Sequence, residues 1–207
     1  MSPNVGEAVM GEMGESVGDN VGPLLDSLRR RMVAMHSLWR EAVGTMSASQ
    51  VNHVEREPVL PIAFSLFHQA QIEDGAVTML GGTPLVYEDS WGERMGLAIT
   101  DNGKHRTTAE MVHQRIGDYE AFCEYQRLVF EKTESDLARL DVSSLADVVV
   151  ERPFPPQLAS TFSARVAGPG GITRLDGLEC WVYQHGLRHM GEVEHGRALV
   201  GLEDMTS

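Results

Sequence analysis

The sequence predicts an all-α fold, a four-helix bundle. Four segments carry apolar residues at alternating spacings of three and four, which places those residues on one face of an α-helix. Two long irregular connections rich in turn-forming residues, 82–106 and 142–172, precede helices three and four. Residues 1–20 are poor in large apolar side chains and are interpreted as a mobile N-terminal tail, so that residues 21–207 form a single helical domain.

The first two helices are indicated by their prolines and apolar faces. Pro23 is favoured in a first helical turn and opens the first helix. The second helix begins near Pro61, ends at Gly81 and Gly82, and carries His68 midway along. The predicted inner faces are Leu25, Leu28, Met32, Met35, Trp39, Ala42 and Met46 in the first helix, and Leu60, Phe64, Phe67 and Ile72 in the second.

Capping signals mark the third and fourth helices. Thr107 followed by Glu110 resembles a capping box for the third helix, and Thr173 with Asp176 resembles a capped start for the fourth. Between them, the three valines at 148–150 are compatible with a short strand. The predicted inner face of the third helix contains Ile116, Tyr119, Cys123, Phe130, Leu137 and Leu140.

The fourth helix carries two histidines in the middle of an otherwise apolar stripe, and we expect this face to point into the core. His185 and His189 are four residues apart, so both imidazoles lie on one side of the helix, where such a pair can bind one metal ion. His68 is the best third ligand. The whole stripe is Leu175, Leu178, Val182, His185, His189, Glu192, Gly196 and Leu199.

A site with three histidine ligands is typical of a catalytic metal ion, whereas a structural ion has all its positions filled by protein ligands. Neutral imidazoles leave the ion its full charge and at least one open position, and zinc, nickel or ferrous iron would all accept three nitrogens. Glu192, one turn beyond His189, is the best general base in the chain or, alternatively, a partner that orients a ligand. A non-catalytic bundle, in which the metal or the histidines only stabilise a dimer or bind a partner, is the competing class.

A di-iron carboxylate centre is an alternative interpretation of the same helices. Two Glu-x-x-His units match the unit found in ferritin-like bundles. Their order along the chain differs from the ferritin-like pattern, and the first unit already has a capping explanation. The residues concerned are Glu110, His113, Glu192 and His195, with Glu41 and Glu73 on the other helices.

Two stretches resemble the DinB-like superfamily. The His185-x-x-x-His189 pair followed by Gly191 is similar to that superfamily's last-helix motif, and the segment from Pro61 to His68 is similar to its second-helix histidine region. The resemblance implies an up-down-down-up bundle in which His68, His185 and His189 bind a metal. It also implies a homodimer, and a relation to thiol-dependent isomerases and transferases that use mycothiol or bacillithiol.

The resulting expectation is a metal-dependent enzyme that activates a small thiol for transfer to, or isomerisation of, a small-molecule substrate. The alternative is a hydrolase that uses a metal-bound water. Arg94 and Arg165, one on each long connection, are the candidates to hold the polar groups of the thiol, because guanidinium groups match carboxylate acceptors.

Composition limits the partners and the compartment. The net charge of −13 argues against non-specific nucleic-acid binding, which needs a basic surface. No apolar run approaches the roughly 20 residues of a membrane span, and the N-terminus lacks the pattern of a secretory signal. Cys123 and Cys180 do not make a disulfide framework, so we expect reduced thiols in a cytoplasmic protein without a membrane partner.

Overall fold

The structure is a computed structural model that describes residues 21–203 and 205, and it is mainly α-helical, as the sequence predicts. The interpretation of residues 1–20 as a mobile tail lies outside the described residues. Among the described helices, none is both long and apolar enough to cross a membrane. The elements are α1 (Val21–Gly44), α2 (Ala48–Val51), α3 (Ile62–Met79), α4 (Asp89–Arg94), α5 (Thr108–Met111), α6 (Tyr119–Arg139), a 3-10 turn (Val142–Ala146), β1 (Val148–Glu151), α7 (Pro156–Ala159), α8 (Phe162–Val166), β2 (Gly171–Thr173), α9 (Arg174–Gly177), a π-helical segment (Leu178–Tyr183) and α10 (Gln184–Leu199).

The two N-terminal long helices, α1 and α3, agree closely with the sequence pattern. All seven residues predicted on the inner face of the first helix are buried, and Trp39 is fully enclosed. The second predicted helix is α3, and it is buried on nearly all sides because α6 and α10 both pack against it. This explains why its sequence is apolar all round rather than amphipathic.

The third long helix, α6, begins later than predicted. Thr107 and Glu110 do form a capping box, but it opens only the single turn of α5. The chain then turns at Gly117, whose N–H donates to the carbonyl of Met95 and whose Cα lies too close to Gly96 for a side chain to fit easily. Asp118 therefore caps the start of α6.

The C-terminal helix, residues 174–199, is continuous but not uniform. Its start at Thr173 and Asp176 is the predicted capping box. The π-helical segment that follows has wider turns, each holding more residues than an α-turn. The inward face of α10 therefore continues one residue later than the predicted stripe, and its buried residues are Gly186, Met190, Val193 and Arg197.

That offset corrects the expectation that the two histidines face the core. His185 and His189 lie at the edge of the buried face, half-buried, and Glu192 is exposed. An edge position leaves the imidazoles packed on α3 but within reach of solvent.

The long helices pack in neighbouring pairs around one hydrophobic core. α1 packs against α6 and α10, and α3 packs against α6 and α10. The second long connection contains the predicted short strand, β1, which pairs antiparallel with β2 just before the C-terminal helix. Both connections also contain short helices, α4 in the first and α7 and α8 in the second, so neither is wholly irregular.

Candidate metal centre

Three histidine side chains converge between α3 and α10. Nε2 of His185 lies 3.3 Å from Nε2 of His68 and 3.2 Å from Nε2 of His189. In residues 21–203 and 205, these three form the one group of His, Cys, Asp and Glu side chains placed to bind a single ion, with ligand atoms within 4.8 Å of one another. The convergence predicted from their spacing is therefore present.

Close packing of two helices sets this geometry. His68 lies midway along α3, and His185 and His189 occupy successive turns of α10. A side chain at Gly196 would meet Ile62 Cγ1 at 2.6 Å, so glycine is needed where α10 comes closest to the start of α3. The helix backbones can thus approach until imidazoles from both reach a common point.

Two of the three rings are fixed in the same tautomer. His68 Nδ1 makes a short hydrogen bond to the carbonyl oxygen of Asn102, which can only accept, so this nitrogen carries the proton. His189 Nδ1 lies 2.6 Å from Oε2 of Glu192, and Ser65 Oγ donates to the same oxygen at 2.8 Å. A proton on Nδ1 leaves the lone pair of a neutral imidazole on Nε2, the atom that faces the other rings.

The environment keeps the rings of His68 and His185 neutral. Burial lowers the pKa of His185 to about 2, and the neighbouring rings of His189 and His68 add to the effect. Burial also lowers the pKa of His68, against the opposing effect of the hydrogen bond that its Nδ1 donates to the carbonyl of Asn102. Burial alone would raise the pKa of the Glu192 carboxyl, but the hydrogen bond from His189 and the neighbouring charges lower it, so this group is an anion at neutral pH.

This donor set fits a divalent cation. Nitrogen ligands about 2.0–2.1 Å from a tetrahedral ion lie about 3.3 Å apart, which matches the two measured Nε2 separations. Unprotonated nitrogens that face one another at this distance repel unless a cation or a proton lies between them. His185 Nδ1 is buried and has no hydrogen-bond partner among the described residues, so this ring is free to present Nε2 as well.

Glu192 separates the histidine cluster from a small cavity. The cavity, about 200 Å³, is lined mainly by apolar groups of residues 59–62 and by Gly196 and Leu199, and Ser65, Glu192 and His195 supply its polar wall. None of the three clustered histidines lines it. Glu192 therefore acts on the cluster through His189, while its second oxygen, Oε1, remains available to solvent or to a ligand.

The two arginines predicted to hold a cofactor are not brought to the cluster. Arg94, at the end of α4, forms a short ion pair with Glu124 on α6 and stacks over the ring of Trp91 at 4.7 Å. Arg165 is exposed in α8 and makes no side-chain hydrogen bond with the described residues. Neither contacts the histidines or Glu192, because each connection folds against its own neighbouring elements.

The structure does not bring together the residues of the alternative di-iron centre. Glu110 closes its capping box with Thr107, and His113, Glu41 and His195 are exposed. Glu73 is occupied elsewhere, by His36 and Gln69.

A buried charged cluster around His36 escaped the sequence analysis. The ring of His36 is fully buried, with Nε2 2.9 Å from Glu73 Oε1 and Nδ1 2.9 Å from Glu134 Oε1. Burial opposes the charged ring, but the two carboxylates outweigh it and raise the pKa of His36 to about 9.

Glu73 and its neighbour Asp74 on α3 both have partners inside the fold. Both are buried, and Asp74 pairs with Lys132 at 2.7 Å. In the sequence, these buried ion pairs are indicated only by ionisable residues next to core positions. The pairing itself could not be predicted, because the partners lie tens of residues apart along the chain.

Comparison with known proteins supports the fold. No family model matches the sequence, and no curated protein matches it. Among solved structures, the chain is similar to one described as a conserved protein of locus from Enterococcus faecalis, with a TM-score of 0.60 and 19% sequence identity. The match covers 89% of this chain and 97% of that chain, so the similarity extends over nearly the whole fold.

Proposed function

We propose that this protein is a DinB-like metalloenzyme in which His68, His185 and His189 bind a divalent metal ion through Nε2 and in which the ion activates a small thiol. The observation that carries the proposal is the shared orientation of the rings. His68 and His189 commit Nδ1 to Asn102 and Glu192, and Nε2 of all three histidines is left to point at one place.

The contacts between helices support an up-down-down-up bundle. Arg29 near the start of α1 donates to Leu137 near the end of α6, so these helices run antiparallel. Lys132 of α6 reaches Asp74 of α3, and the earlier residues Tyr125 and Phe67 also meet, so these two run parallel.

The remaining pairs complete the same topology. Ser65 near the start of α3 meets Glu192 late in α10, which makes these helices antiparallel. Arg31 of α1 pairs with Glu179, and Arg197 of α10 donates to Ala42 near the end of α1, so α1 and the C-terminal helix are parallel. This is the helix order that the sequence resemblance implies.

The donor set favours catalysis over a purely structural role. Three neutral imidazoles do not neutralise a divalent ion, and no fourth protein ligand lies within the cluster in the described residues. When bound, the ion supplies a positive centre that lowers the pKa of a thiol or water at its remaining position. Zinc, nickel and ferrous iron are all compatible with three nitrogen donors.

The protein's own groups position the ligands and accept the proton. Glu192 Oε2 holds His189 in the Nδ1-protonated tautomer, and Ser65 fixes the carboxylate. Glu192 Oε1 has no partner among the described residues, and the side chain is 54% exposed, so this oxygen is the proton acceptor for a ligand that enters from solvent. Neither Cys123 nor Cys180 belongs to the group of described side chains that could bind the ion, so the thiol comes from a small cosubstrate.

Metal analysis tests the proposal. Protein purified without a nickel column is expected to contain, or to take up on titration, one divalent ion per chain. His189→Ala should abolish this binding while the helical circular dichroism signal remains, because the hydrophobic core does not depend on the site. His53→Ala, which removes an exposed histidine paired with Glu55, is the matched control.

The reaction class is tested on cobalt-substituted protein. Mycothiol or bacillithiol should produce a sulfur-to-metal charge-transfer band, and the band should be absent in His189→Ala. Full metal binding without a spectral change from either thiol, together with ester or amide hydrolysis in their absence, would reassign the enzyme as a hydrolase.

A further inference from the structure

Two cations without ionic partners flank the histidine cluster. Most of the 17 basic side chains form a hydrogen bond or ion pair, and the exceptions within the described chain are Arg30, Arg56, Lys104, Arg165 and Arg188. Lys104 and Arg188 are the two that lie beside the site. The chain has a net charge of −13, so acidic side chains outnumber basic ones. Two basic side chains that stay without an ionic partner beside one site therefore indicate a place where an anion can bind.

The backbone around Lys104 is held against the site by specific contacts. Asn102 accepts the hydrogen bond from His68 Nδ1, and its side chain accepts another from the N–H of Lys104 at 3.0 Å. Gly103 has a φ of +74°, and a side chain there would meet the ring of Phe64 at 2.6 Å, the same ring that stacks on His68. The loop cannot move far without disturbing His68, so Lys104 is anchored next to the cluster.

Arg188 approaches the cluster from the other helix. It precedes His189 by one residue and follows His185 by three, and helical side chains lean toward the N-terminus, over the preceding turn. Arg188 therefore adjoins the two histidines of α10, and Lys104 adjoins His68, because it follows Asn102, the hydrogen-bond partner of His68, by two residues.

Negative charge near the cluster comes from Glu192, which contacts His189. Asp101 is neutralised by its ion pair with Arg106. A ligand held at the cluster thus lies between two unpaired cations, Lys104 and Arg188, and one carboxylate, Glu192.

We infer that Lys104 and Arg188 bind an anionic group, carboxylate or phosphate, of the small molecule whose reactive atom lies at the three histidines. This inference rests on the proposed metal site and deepens it, since it selects anionic thiols over neutral and cationic ones. It also replaces the two arginines expected from the sequence, because Arg94 and Arg165 do not reach the cluster. The ammonium and guanidinium groups both donate hydrogen bonds suited to such an anion.

The test compares three thiols of similar size and different charge on cobalt-loaded protein. At fixed pH, dissociation constants of 3-mercaptopropionate, 2-mercaptoethanol and cysteamine are measured from the charge-transfer band. In the double variant Lys104→Met with Arg188→Met, the preference for 3-mercaptopropionate over 2-mercaptoethanol should fall about tenfold, and cysteamine should bind better. Intrinsic thiol acidity cancels in this comparison between variants. Arg30→Met, another exposed unpaired arginine, should leave all three constants unchanged.

The outcomes separate the two proposals. An unchanged preference in the double variant, with cobalt and 2-mercaptoethanol still bound, overturns the anion site and leaves the metal enzyme intact. Failure to bind cobalt overturns the metal site. The anion site is then judged on the metal-free protein, where propionate should shift the His185 ring signals in NMR spectra and the double variant should weaken this effect. Absence of the shift in the unmodified protein overturns the inference.

Discussion

Folding stability is expected to decline as the pH rises above about 6.5, because of the buried ion pairs of His36. The ring is fully buried between Glu73 and Glu134 and also stacks on Phe130, with ring centroids 4.1 Å apart. Its pKa is raised to about 9 in the folded protein. In the unfolded chain it returns to about 6.5.

The difference between these pKa values gives the size of the effect. A raised folded-state pKa means that the folded protein binds the proton more tightly, so the stabilisation is fully present below pH 6.5 and is lost between pH 6.5 and about 9. The pKa difference corresponds to about 3 kcal/mol of unfolding free energy. Since small domains are stable by about 5–15 kcal/mol in total, the loss is large enough to measure.

Urea unfolding at pH 6 and pH 9.5 provides the assay. The double variant His36→Gln with Glu73→Gln removes the buried charge pair, retains side chains that can hydrogen-bond, and should lack most of the decline. His53→Gln changes an exposed histidine paired with Glu55 and should keep the decline of the unmodified protein. Equal pH dependence in the double variant and the unmodified protein would refute the argument that His36 is charged in the folded state.

Three further predictions concern the site and its packing. Gly196→Ala should destabilise the fold by about 1–3 kcal/mol, because its Cβ would meet the branched side chain of Ile62 at 2.6 Å, whereas Gly191→Ala has open space and should stabilise the helix by up to about 1 kcal/mol in thermal unfolding. Glu192→Gln should weaken metal binding about 10- to 100-fold in calorimetric titration, with Glu194→Gln as control, and an unchanged affinity would show that the carboxylate does not orient His189. The sequence resemblance and exposed apolar side chains such as Leu24, Val33 and Phe162 predict a homodimer in light scattering, and a monomer at all concentrations would contradict that prediction.

The sequence was a good guide where periodicity alone determines burial. The seven residues that the spacing of three and four predicted on the inner face of the first helix are all buried, because an uninterrupted α-helix keeps one register. The capping box at Thr173 and Asp176 likewise predicted where the C-terminal helix begins. The same spacing placed His185 and His189 on one side of the last helix, and the structure brings both of them to His68, the predicted third ligand.

Periodicity failed where the backbone departs from the α-helix or where contacts are distant in sequence. The π-helical segment shifts the inward face from His185 and His189 to Gly186 and Met190, and no sequence signal marks that change of pitch. The His36 cluster joins three helices, so its pairing depends on tertiary packing. Lys104 was missed for the same reason, since a loop residue reaches the site only through the hydrogen bond between Asn102 and His68.

The most direct test of the metal site identifies the nitrogen atoms that bind the ion. Long-range ¹⁵N NMR correlation spectra of the metal-free protein should show His68 and His189 protonated at Nδ1, as their hydrogen bonds to Asn102 and Glu192 require. Addition of one equivalent of zinc should shift Nε2 of His68, His185 and His189 together and leave Nδ1 of His68 and His189 protonated. If zinc leaves these three Nε2 signals unchanged, or shifts those of other histidines instead, the three-histidine metal site is wrong.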